Sequence, residues 1–68
     1  MEYQGYSLET FQNPWPRWSA EIRRIDGRKF KIKATDNVVE SLETEPPQRT
    51  PAAAIELAKM VLRGLEPI

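Results

Sequence analysis

Five basic residues fall within one short stretch of the chain: Arg23, Arg28, Lys29, Lys31 and Lys33. In an extended segment alternate side chains share a face, so Lys29, Lys31 and Lys33 line one side of a strand, with Arg23 and Arg28 close by. Such a row can contact a phosphate backbone. It can equally guard a sheet edge, because lysines deter pairing with another chain. Edge protection is the preferred reading, since Glu21 neutralises part of the row. Nucleic-acid binding through this face would be weak, indifferent to sequence and lost as salt rises, because no recognition helix stands beside it to read bases.

The second group is aromatic and basic. Trp15 lies between Pro14 and Pro16 and is followed by Arg17 and Trp18. Tryptophan and arginine are enriched at interface hot spots, so Trp15 and Arg17 are candidate partner contacts. The competing reading is a lid over the open end of the core, and it is preferred because so small a domain needs every apolar side chain it has. Met60 is a third candidate contact. With Leu57 and Ile68 it would extend an apolar strip toward a partner or a second copy.

Acidic residues cluster at Glu40, Glu43 and Glu45, and Asp26 and Asp36 sit at turn positions. General acid–base catalysis needs a carboxylate in a water-poor cleft. Acids in a proline-bearing polar loop are solvated instead, and turn aspartates bind the turn backbone. The chain has no cysteine and no histidine, which removes disulfides, Cys/His zinc sites and Cys- or His-based nucleophile pairs. Its three isolated glycines make no phosphate cradle. The expectation is a protein that is not an enzyme and carries no cofactor or metal.

With 68 residues the chain forms one domain, 1–68. Ten Lys and Arg balance ten Asp and Glu, so no global field draws it to nucleic acid or an anionic membrane, and low net charge permits self-association. Met1-Glu2-Tyr3-Gln4-Gly5-Tyr6 lacks the basic-then-apolar pattern of a signal peptide, and no stretch is long enough to span a bilayer. The absence of cysteine fits a reducing compartment, so a cytoplasmic location is expected.

These residues must be held by few elements. Thr50 and Pro51 open a helix expected over 51–64, as N-cap and first helical residue. Ala54, Ile55, Ala58, Val61, Leu62 and Leu65 form its apolar stripe, with Glu56, Lys59 and Arg63 opposite. Gly64 and Pro67 end it. Asp26-Gly27 marks a hairpin. A three-residue loop with a left-handed Gly27 pairs Ile22 with Phe30, Ala20 with Ile32, Trp18 with Ala34 and Glu21 with Lys31. That register alone separates an apolar face from a charged one. The first strand is expected over Tyr3 to Phe11, with Tyr6 and Leu8 inward, and Asn13-Pro14-Trp15-Pro16 breaks it. Segment 36–49 is open: Asn37 and Glu40 could cap a short helix near 37–43, or Val38-Val39 could start a fourth strand. Glu43 to Gln48 reads as a loop.

The sum is an α+β fold: a three-stranded antiparallel β-meander packed by one C-terminal helix. Tyr3-x-Gly5-Tyr6, Trp18-x-Ala20-x-Ile22 and Thr50-Pro51-x-x-Ala54 followed by Ala58-Lys59 resemble a loose class of short, mostly uncharacterised bacterial βββα proteins. That resemblance implies the fold and carries over no site residues. The functional expectation is a small non-enzymatic interaction module, engaging a protein partner or a second copy of itself. The alternative is weak nucleic-acid binding through the basic strand face.

Overall fold

The computed structural model describes residues 1–68. Its strands are β1 (Glu2–Tyr3), β2 (Tyr6–Gln12), β3 (Trp18–Arg24), β4 (Phe30–Ile32), β5 (Asn37–Val39) and β6 (Leu42–Glu43). Helix α1 (Pro51–Val61) follows, tightens into a 3₁₀ turn at Leu62–Gly64 and leads to β7 (Leu65–Pro67). The class is α+β, with antiparallel sheets and one helix near the C-terminus. Of the expected three-stranded meander, the pairing of the first strand with Trp18–Arg24 forms, and the third strand does not join it. There are seven strands in two sheets, ordered β1-β2-β3-β6 and β5-β4-β7.

The main correction is at Asp26-Gly27. The turn exists: Gly27 is left-handed at φ 75°, its N–H donates to the Arg24 carbonyl, and Asp26 Oδ1 accepts the Arg28 N–H. A Cβ at Gly27 is penalised for that backbone angle alone. But β3 and β4 do not pair. Both edges of β3 are occupied, by β2 on one side and β6 on the other. The register gives the reason. Leu8, Ile22 and Leu42 stand side by side across the first sheet, an apolar row that a β3–β4 hairpin would forgo. Phe30 is matched instead by Val39 and Pro67, and Ile32 by Asn37 and Leu65. Glu21 consequently faces Glu9 and Glu43, not Lys31.

Three further expectations are revised. Gln4 (φ 51°) and Gly5 (φ 85°) form a two-residue turn that splits the first strand and pairs Tyr3 with Tyr6. Positive φ at both turn positions is what a tight hairpin turn of matching twist requires. Of the two readings of 37–43 the strand holds and the helix does not, with a second short strand at Leu42–Glu43 in the other sheet; the polar run after it is a loop with one bridge at Gln48. The Thr44 side chain accepts the Ala20 N–H at 2.9 Å, and Gln48 exchanges backbone hydrogen bonds with Trp18 at 2.6 and 2.7 Å. Leu65 is buried in β7, not on the helix, and Ala34 lies exposed in the β4–β5 turn.

The helix start follows the expectation, with the Thr50 hydroxyl accepting the Ala53 N–H at 3.1 Å and Pro51 in the first turn. Ala54 and Ala58 are fully buried, and these small side chains let α1 lie close across β2 and β3. The core joins the two sheets: Tyr6, Leu8, Ala20 and Ile22 from one, Phe30 and Leu65 from the other, with Leu62 from the 3₁₀ turn. Arg24 ties the sheets from the side. Its guanidinium donates to the Lys29 and Ile68 carbonyls and pairs with Asp26 at 2.7 Å.

Tyr6 packs edge-on against Phe30, ring centroids 5.5 Å apart, yet its buried hydroxyl has no hydrogen-bond partner. Burial pushes the phenol up from its ordinary value of 10.0, Arg24 opposing and Asp26 adding to the effect. A buried, unsatisfied hydroxyl costs about 1–3 kcal/mol, so Tyr6→Phe is expected to stabilise the fold by ~1 kcal/mol at neutral pH. The raised phenol also makes the wild type lose stability as pH climbs past 10.0, because the folded state holds its proton more tightly than the unfolded chain. Tyr6→Phe should lack that alkaline loss. Urea midpoints at pH 7 and pH 10.5 check both points, and a destabilised Tyr6→Phe would mean that the hydroxyl is satisfied.

Candidate functional site

The β2–β3 connection is a closed loop. The Asn13 N–H donates to the Arg17 carbonyl at 2.8 Å, and the Arg17 N–H donates to the Pro14 carbonyl at 2.6 Å. Asn13 Nδ2 also donates to the buried Ser19 hydroxyl at 3.3 Å. This ring of bonds leaves Trp15 at the tip, with 75% of its surface exposed. Trp15 is therefore not a lid on the core, the reading that economy of apolar surface favoured. Trp18, three residues on, takes the half-buried place against the core.

The Trp18–Gln48 backbone pair sets what stands beside Trp15. The Trp18–Gln48 bridge brings their chain neighbours Arg17 and Arg49 to one place on the surface. Both side chains are exposed, and no carboxylate lies within 4.0 Å of either. With Pro16 they line a concavity of about 250 Å³. The first turn of α1 supplies no acid to offset Arg49. Arg49 was not singled out from sequence. Its signal was only that it precedes the Thr50 cap, and its neighbour across the strands depends on a pairing that the proline-bearing run conceals.

The five-residue basic cluster is not assembled in the same way. Arg23 belongs to the first sheet and bonds to Glu21 at 2.7 Å, whose hydrogen bond and charge push the guanidinium further up. Lys31 lies in the second sheet, between Asp36 at 3.6 Å and Glu66 at 3.5 Å. The Lys33 ammonium reaches the Arg63 carbonyl at 3.5 Å. Arg28 and Lys29 are exposed and without a carboxylate partner. β4 is the central strand of its sheet and holds only Lys31, with Lys29 and Lys33 in the flanking connections, so the three lysines guard no strand edge and the edge-protection reading is corrected.

Met60, 64% exposed, lines a separate groove of about 310 Å³ with Tyr3, Gln4, Glu56, Lys59 and Arg63. There the Lys59 ammonium stands 5.0 Å from the Tyr3 ring centre and 3.7 Å from Glu56. This groove adjoins the Gln4-Gly5 turn, at the opposite end of β2 from the Trp15 loop. A seven-residue strand spans roughly 20 Å. Met60 is therefore not part of one patch with Trp15 and Arg17. A third hollow, on the outer face of the first sheet, holds Phe11 among Glu9, Glu21 and Glu43. No three carboxylates are gathered as a metal ion would need. Glu40 and Glu45 are exposed in connections.

Comparison with protein-family models, curated proteins and solved structures finds no match to this chain. No helix is long and apolar enough to cross a membrane.

Proposed function

We propose that the protein is a non-enzymatic interaction module whose contact point is the corner formed by Trp15, Arg17 and Arg49. One observation carries this reading: an exposed tryptophan on a hydrogen-bonded loop whose next residues, Pro16 and Arg17, share a hollow with Arg49, neither arginine having a carboxylate partner. A preformed loop limits the ordering cost of binding. A tryptophan beside arginine has the composition of an interface hot spot. Two guanidinium groups around one hollow, neither with a carboxylate partner, select for negative charge.

The test is amide and indole mapping by NMR against three polyanions at low salt: poly-glutamate, a heparin-type oligosaccharide and an oligothymidylate. At least one should shift the Trp15 indole together with Arg17 and Arg49, and Arg17→Glu should erase the response. Shifts centred on residues 28–33, or none with any probe, would overturn the reading.

A further inference from the structure

Resting on that reading, we infer that the ligand of the Trp15 corner is single-stranded nucleic acid, held by one stacked base and the phosphates beside it. Three features lead there. First, the hollow next to Trp15 in the chain favours an anionic partner over an apolar one. A tryptophan hot spot is normally ringed by contacts that exclude water and enters a partner's apolar pocket. Here the adjoining hollow is lined by Pro16, Arg17 and Arg49, a rim that is cationic, not apolar. Secondly, the spacing of chemistry matches a nucleotide strand, which alone among common polyanions repeats a flat π-face next to each negative group. Base–aromatic stacking is tolerant of sequence, and guanidinium groups bind phosphate in a forked geometry. A concavity of about 250 Å³ is shallow for a whole ligand but admits a phosphate between two arginines. Thirdly, the outer face of the first sheet offers the strand no competing path. That face carries Glu9, Glu21 and Glu43 on neighbouring strands; Arg23 offsets Glu21 and the N-terminal ammonium lies 3.9 Å from Glu9, so the face holds no net positive charge to draw a phosphate backbone.

The chain's zero net charge gives no long-range attraction, so binding is local, weak and short in site size. No strand or helix at the corner presents side chains to base edges, so the site does not discriminate sequence. This differs from binding through Lys29, Lys31 and Lys33, because Lys31 is already matched by Asp36 and Glu66.

The experiment compares four probes by the Trp15 indole resonance and by fluorescence quenching at low and moderate salt. They are an eight-nucleotide oligothymidylate, the same backbone with abasic sites throughout, poly-glutamate, and a phosphoserine peptide. The oligothymidylate should bind about tenfold or more tightly than its abasic counterpart, the gain that one stacked base gives. Moderate salt should weaken it steeply. Trp15→Ala should remove the difference between the two oligonucleotides. The pair Arg17→Glu and Arg49→Glu should abolish binding of both. The control pair Arg28→Glu and Lys29→Glu should leave binding unchanged. Equal affinity for the abasic strand would overturn the inference while sparing the proposed function, as would preference for poly-glutamate or the phosphopeptide at the same residues. Loss of binding in the control pair with retention in Arg17→Glu would overturn both, as would no response to any probe.

Discussion

Phe30→Ala is expected to cost about 3–5 kcal/mol, the range for truncating a buried phenylalanine. Phe30 is fully inaccessible to solvent. Val39 and Pro67 flank it on its own sheet, and Tyr6 of the other sheet meets it edge-on at 5.5 Å. Truncation therefore opens a void between the two sheets, where neither backbone can collapse without giving up strand pairs. For a domain of this length total stability is roughly 3–10 kcal/mol, so most of the margin would go. Phe30→Leu should recover much of it by refilling the space. Urea unfolding followed by circular dichroism measures both. A loss under ~1.5 kcal/mol for Phe30→Ala would show that the sheets are not joined through this ring.

Leu62→Ala should cost about 2–5 kcal/mol, and its neighbour Met60→Ala less than about 0.5 kcal/mol. The two side chains lie two residues apart at the end of one helix, but Leu62 is buried in the core and Met60 is 64% exposed. Leu62 also stands at the change from α1 to the 3₁₀ turn that delivers β7 to the edge of β4. Its loss should loosen that edge first, so hydrogen exchange should quicken at Leu65 and Lys33, whose amide bonds the Gly64 carbonyl at 2.9 Å. Similar costs for the two variants would contradict the layered packing of helix on sheet.

The helix was legible because its signals are local. Thr50, Pro51 and the spacing of Ala54, Ala58 and Leu62 act within one segment, and each is found as expected. The inward faces of Tyr6, Leu8, Ala20, Ile22 and Phe30 were legible too, since alternation is a property of a single strand. Partner choice was not. Ile22 can face Phe30 or Leu42 with equal apolar gain on that strand alone. What decides is the whole set of pairings, in which Leu42 completes one row and Val39 and Leu65 serve Phe30 and Ile32 in another. The Gln4-Gly5 turn was missed because only its glycine signals it. Trp15 and Arg17 were readable as contacts by residue type. Their companion Arg49 was not, because its place depends on a bridge between Trp18 and Gln48 across thirty positions of chain.

The two sheets are woven from the same chain in alternation. The first takes residues up to Arg24 and then Leu42–Glu43, while the second takes Phe30–Ile32, Asn37–Val39 and finally Leu65–Pro67. No continuous piece of the chain builds either sheet without running through strands of the other. The β1–β2, β2–β3 and β4–β5 pairs close through short turns, but seating β6 on β3 and β7 on β4 requires long loops to close, which slows that step relative to a helical domain of equal size. It also means that neither sheet can open and leave the other intact, so unfolding should proceed as one cooperative event with no stable half.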